Sequence, residues 1–299
     1  MNLAIWKKSF CDAMWLLIGC AVLMFVFLYL FVYFASLITA SSFVNIVDEL
    51  PGFVQGLVGI PLDQAASWQG RLALAFIDPT VILISAIWAI SRSSDAVSGP
   101  LDRGTMEMVL AQPVSRRSLL FAHSAVTLFG AAVIAVAAWF GLWLGISIVS
   151  VEEPRTFLGL FSLSAKVVPM SSLTQPSYYG FSVFNLFALT VFTAGLATLI
   201  SSCGRYRWRT IGIMGGFYVV QIVVKAMASM SSEQWSWLYK LTFLGAYWPQ
   251  VLATEAMQPE SDAAWRLSFQ YNGILLGLAA VCFIAASIIF HRRDLPAPV

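Results

Sequence analysis

The side chains that can ligate a metal or act as nucleophile, base or acid are scarce in this chain, and their spacing favours none of those tasks. The four cysteines, Cys11, Cys20, Cys203 and Cys282, include no two at metal-ligand spacing. His123 and His291 both fall in segments assigned below to the cytoplasmic side, which excludes an HExxH centre. Serines are abundant in the polar stretches, but with no histidine near those outside, a Ser-His-acid triad cannot be assembled there. Met170, Met230 and Met257 offer thioethers to Cu(I), yet no His or Cys accompanies them, so no tight copper site is expected. No G-x-x-x-x-G-K-[ST] phosphate loop occurs, so the chain does not bind and hydrolyse ATP by that motif. No residue is therefore assigned as catalytic or as a metal ligand.

Two charged features interrupt apolar sequence. Asp78 precedes Pro79 inside a hydrophobic run. The simpler reading is a capped helix with proline at its first position; the sharper one is an intramembrane ion or proton site, because a lone acid in a span is a functional candidate. The run Arg205-Tyr206-Arg207-Trp208-Arg209 interleaves basic and aromatic residues as nucleic-acid binders do. It is only five residues between two apolar segments, so retention of charge at the membrane face explains it, and no nucleic-acid partner is expected.

The richest polar stretch is Pro100 to His123, a cationic, amphipathic insert between two long hydrophobic runs. Thr105 can cap a short helix, Glu107 sits in its first turn where the positive dipole end favours an acid, and Met106, Val109 and Leu110 fall at i, i+3 and i+4. Pro113 ends that helix. Gly104 permits a sharp entry, and Ser115 with Arg116 and Arg117 opens the next apolar segment at a membrane boundary. The spacing predicts a short helix across the membrane surface, whose apolar side needs a partner, in a protein groove or in lipid.

These features must be carried by membrane spans. With 59% hydrophobic and 11% charged residues, against roughly 45–50% and about 25% in soluble domains, the chain is an integral membrane protein. Its net charge of +2 implies no polybasic tail. Trp6 to Trp15 has the lysines and tryptophans of a helix lying at an interface. Apolar runs of spanning length cover about 16–37, 72–97, 119–149, 181–201, 210–230 and 271–290. The first is too long for a signal-peptide core. The third, on the order of 46 Å at 1.5 Å per residue, exceeds the bilayer core and must tilt or project. Residues 41–71, 150–179 and 231–269, with their prolines and acids, read as loops on one side; 98–118 forms the docking loop on the other. Gly212, Gly215 and Gly216 suit close helix contact, and Lys225 can snorkel outward.

Charge orients this six-helix, single-domain, all-α arrangement. Lys7, Lys8, Arg92, Arg103, Arg116, Arg117, Arg205, Arg207, Arg209, Arg292 and Arg293 lie on the side of the termini, against Arg71, Arg155, Lys166, Lys240 and Arg266 on the other. That asymmetry places both termini and the docking loop in the cytoplasm.

The order Asp102, Arg103, Gly104, Thr105, Met106, Glu107, then Leu110, Ala111, Gln112, Pro113, Val114, Ser115, Arg116 resembles the cytoplasmic loop of ABC type 2 transporter permeases. Asp78-Pro79 and Ser94-Asp95-Ala96 also resemble family positions, and the likeness is dense over about 45 residues. Pro100 stands where that pattern has its first acid, and His123 where a lysine is frequent. The resemblance implies an N-terminal elbow helix and a coupling helix between spans 2 and 3. Its implied docking residues are Asp102, Arg103, Gly104, Thr105, Met106, Glu107, Val109, Leu110, Pro113, Ser115 and Arg116. It also implies a separate ABC ATPase subunit that binds the ATP and magnesium, no cofactor in this chain, and a second permease copy or paralogue. The setting would be the lipid of a bacterial inner (plasma) membrane. An exporter follows from it, with two alternatives: the same architecture serving a periplasmic partner in copper-enzyme maturation, and a membrane enzyme or scaffold without transport. The substrate is not legible.

Overall fold

The computed structural model describes residues 3–49, 59–106, 108, 111, 115–157, 161–230, 233–258 and 262–293. Six segments are long and apolar enough to cross a membrane: Ile5–Leu37, Trp68–Ser94, Arg116–Ile148, Pro176–Cys203, Arg207–Ser229 and Ala263–Arg292. The protein is thus an all-α, multi-pass membrane fold. Its helices are α1 (Leu3–Leu37), α2 (Ala40–Glu49), α3 (Leu62–Ala66), α4 (Trp68–Leu74), α5 (Pro79–Ser94), α6 (Ser98–Asp102), α7 (Arg116–Ile148), α8 (Gly180–Cys203), α9 (Arg207–Met230), α10 (Pro249–Ala256) and α11 (Ala263–Arg292).

The bundle is organised around α8, whose buried residues line nearly its whole length. It packs on α11, α5 and α7, while α1 lies along α7. One continuous apolar core, from Leu17 and Met24 on α1 through Trp88, Ile134 and Leu142 to Leu189 and Leu275, fills the centre. Outward faces stay apolar, as with Val22, Phe129, Val220 and Val281, which suits lipid contact.

Three expectations are revised. The expected elbow at residues 6–15 is continuous with the first span in the 35-residue α1, since neither proline nor a helix-breaking turn separates them. The expected outer loop 150–179 contains an antiparallel hairpin, β1 (Ser150–Phe157) with β2 (Phe161–Pro169), whose register slips between Glu153 and Arg155, beside Pro154, which has no N–H to give the ladder. Arg71, expected in a loop, is 2% exposed within the second span. Its Nη1 donates to the Ile38 carbonyl at 2.7 Å, its Nε and Nη2 donate to that of Ala66, and its guanidinium lies 4.5 Å from the Trp68 ring centroid and 4.9 Å from that of Phe43.

The second span is broken near its start. A 3₁₀ turn at Ala75–Ile77 is followed by Asp78, whose carboxylate accepts from the Thr80 N–H at 2.8 Å, with Pro79 at the first helical position. Asp78 therefore caps α5, and it also borders a cavity of about 300 Å³ whose wall includes Arg71.

Candidate functional site

The docking loop begins as α6, a helix that the sequence reading did not separate, and turns sharply at Gly104, whose φ of +67° only glycine adopts without strain. Thr105 closes the turn, its N–H donating to the Pro100 carbonyl at 2.9 Å and its hydroxyl to the same oxygen at 3.4 Å. Met106 then points into the protein: at 2% exposure it packs with Ala96, Val97, Leu120, Ala286 and Phe290. The residue expected to insert into a partner is thus used to anchor the loop to its own bundle, because the apolar floor beneath it is available within the chain. Met108 is 74% exposed, and Asp102, Arg103, Gly104 and Ala111 are exposed with it. Ser115 caps α7 by accepting from the Ser118 N–H, and Arg116 Nη1 donates to the Arg293 carbonyl at 2.6 Å. Glu107, Val109, Leu110 and Pro113 lie outside the described residues.

What holds this loop is the end of the second span. Asp95, just past α5, accepts from Arg103 Nη1 at 2.8 Å and has Arg207 Nη1 at 3.7 Å. Arg207, at the start of α9, also donates from Nε to Ser94 Oγ and from Nη2 to the carbonyl and hydroxyl of Ser91, each at 3.3 Å. A single carboxylate therefore joins the docking loop to the entrance of the fifth span. Gly99 makes room for it, since a Cβ there would come within 2.1 Å of Asp95 Oδ1. On the other flank Arg92, 4% exposed, donates from Nη2 to the carbonyl and hydroxyl of Ser9 on α1 at 3.2 Å. A hydroxyl cluster continues the junction: the Ser98 N–H donates to Ser201 Oγ at 3.0 Å, and the Ser98 and Thr210 hydroxyls are 3.3 Å apart. Arg293 Nη1 closes the ring on the carbonyls of Ser202 and Gly204.

Sequence reasoning counted Arg207 and Arg92 alike as topology charges and assigned no contact to either. The Ser91–Asp95 run (Ser-Arg-Ser-Ser-Asp), where an apolar helix abruptly turns polar, was the available signal. The pairing of Asp95 with a residue 112 positions later carries no local signature.

The opposite end is closed by the segment between the fifth and sixth spans. Phe243 sits against Phe192, Phe217 and Tyr218 with ring centroids 5.0–5.6 Å away, and Tyr247, Leu252 and Ala253 are fully buried. The backbone here is irregular, so side chains from the spans satisfy it. Asn185, with 0% exposure, donates to the Ala246 carbonyl at 3.1 Å and to Asn272 Oδ1 at 2.8 Å, and accepts from the Trp248 N–H at 3.1 Å. Ser182 donates to the Pro249 carbonyl, and Lys225 Nζ to that of Tyr247 at 3.1 Å, 4.4 Å from the Trp248 ring centroid. Lys225 thus turns inward rather than snorkelling. The Tyr247 hydroxyl donates to the Phe76 carbonyl at 2.6 Å, and burial, with Tyr218 adding to it, pushes its pKa up so that it stays a neutral donor.

Among curated proteins none matches this chain. A family model does: one described as "ABC-2 family transporter protein" matches residues 3–295, nearly the whole length.

Proposed function

The chain belongs to the ABC-2 family of transporter proteins and is a permease subunit of an ABC transporter; on that premise we propose that it is an exporter in which ATP hydrolysis on a separate subunit is passed into the spans through the Asp95 junction. ATP and magnesium are held by that ATPase, and the exposed part of the docking loop, Asp102, Arg103, Gly104 and Met108, is what it grips. Two permeases, identical or paralogous, face two ATPases. Both termini lie in the cytoplasm of a bacterial cell, as the charge asymmetry favours.

One observation supports this reading above the rest: Asp95 is shared between Arg103 of the loop and Arg207 of the fifth span. A pull on the loop changes which arginine holds the carboxylate, and α9 has room to respond because its outward residues, Ile213, Val219, Val220 and Val223 among them, are half or more exposed. The segment sealed by Asn185 and Tyr247 is the far gate of that stroke. The test is Asp95→Asn in the reconstituted complex. ATPase co-purification should survive while permease-dependent stimulation of hydrolysis falls severalfold; unchanged stimulation refutes the coupling role.

A further inference from the structure

A cavity of about 130 Å³ opens beside the junction, between the first turns of α1, the end of α5, the docking loop and the start of α7. Three cations line it, Lys8, Arg92 and Arg103, against two acids, Asp12 and Asp95. Asp95 is already engaged by Arg103 and has Arg207 beside it, so Lys8 and Arg92 face Asp12 and a carboxylate whose charge is largely committed elsewhere. Arg92 is 96% buried by its 4% exposure, and its Nε–H has no hydrogen-bond partner. A buried guanidinium with an idle donor in the wall of a cavity is a costly arrangement unless something completes it. The remaining wall includes apolar Ile5 and Leu119, and Trp15, seven residues after Lys8 and so on its face of α1, is 84% exposed, as suits an aromatic side chain at a membrane surface.

We propose that this cavity binds the phosphate of an anionic phospholipid headgroup from the leaflet on the side of the termini. A phosphate supplies acceptors for the Arg92 fork and for the Lys8 ammonium, and the apolar wall lets the acyl chains run out along α1 into the bilayer. The space admits a headgroup and not a whole lipid, which agrees with a ligand held by its polar end. Basic recesses between spans are suited to such headgroups. Since the same cavity is bounded by Arg103 and Met106, an occupied site fixes the loop at the position from which it meets its partner.

The experiment uses the purified full-length chain in detergent with three probes: phosphatidylglycerol, phosphatidylcholine and inorganic phosphate. Bound lipid is counted by native mass spectrometry, and protection is followed by thermal unfolding. Phosphatidylglycerol should bind about tenfold or more tightly than phosphatidylcholine, the factor one charge-assisted contact supplies. Arg92→Gln should abolish that preference, and Lys8→Gln, an exposed change that leaves folding intact, should reduce it severalfold. Asp12→Asn should strengthen it, because it removes one of the two acids that oppose the phosphate. Equal binding of the two lipids overturns the proposal, as does a preference indifferent to both Arg92→Gln and Lys8→Gln. Protection by inorganic phosphate equal to that by phosphatidylglycerol assigns the cavity to a free anion and overturns the lipid. Weaker binding with lower stability in Asp12→Asn shows that Arg92 is merely the counter-ion of Asp12, and this too overturns it.

Discussion

The two ends of the bundle secure their irregular backbone with different chemistry. At the end of the termini the work is done by ion pairs and guanidinium forks around Asp95, with Arg103 half exposed. At the other end it is done by the amides of Asn185 and Asn272, the hydroxyls of Ser182 and Tyr247 and the single ammonium of Lys225, all buried. Partly wet ion pairs are worth roughly 0.2–1 kcal/mol and exchange partners easily. A hydrogen bond in a dry interior adds little net when made, but costs about 1–3 kcal/mol for each group orphaned when it is broken. The first kind suits a place where an external force arrives; the second suits a seal.

The comparison is broken most readily at the sealed end. Asn185→Leu orphans the Ala246 carbonyl, the Trp248 N–H and Asn272 Oδ1, so a loss on the order of 3 kcal/mol is expected, read as a large fall in Tm in detergent. If Tm hardly moves, the segment is not held as described. Lys225→Met should cost less, because losing the donor to Tyr247 is partly offset by removing a buried charge. At the junction, Gly99→Ala drives a methyl into the Asp95 carboxylate; hydrolysis coupling should fall while Tm stays close to wild type. Arg207→Lys keeps the charge and loses the fork on Ser91 and Ser94. A silent substitution would restore its reading as a topology charge, whereas a partial loss of coupling sharpens the contrast. Arg103→Gln should be the mildest for stability, within about 1 kcal/mol, since the pair is exposed.

The six spans were legible because each is a long run of apolar residues, and the capping by Asp78 was legible because its partner is two residues away. So was the turn at Gly104. Features joined over long separations were not. The segment around Phe243–Ala246 and Pro249–Ala256, rich in tryptophan and proline nearby, resembles an interfacial loop until Asn185 and Tyr247 are seen to draw it into the core. Met106 has the spacing of a docking face, and only the neighbouring Phe290, 184 positions later, shows which side of it is covered. The hairpin escaped because Pro154 interrupts its pattern and no two-residue turn signal marks it.

Arg71 has a consequence for how the protein enters the membrane. Its position in the second span, with donors committed to Ile38 and Ala66 and its face laid between Phe43 and Trp68, makes that span a poor independent client of the insertion machinery, where a central arginine costs roughly 2.5–3.5 kcal/mol and one near the end somewhat less. Its partners all precede it in the chain, Ile38 just past the first span, Phe43 on α2, Ala66 on α3 and Trp68 at the start of the second span itself. Spans one and two are therefore expected to enter the bilayer as a hairpin, with nascent chains ending at Val97 already resisting alkaline extraction in a cell-free insertion assay, and substitution of Arg71 by leucine should let the second span integrate without the first.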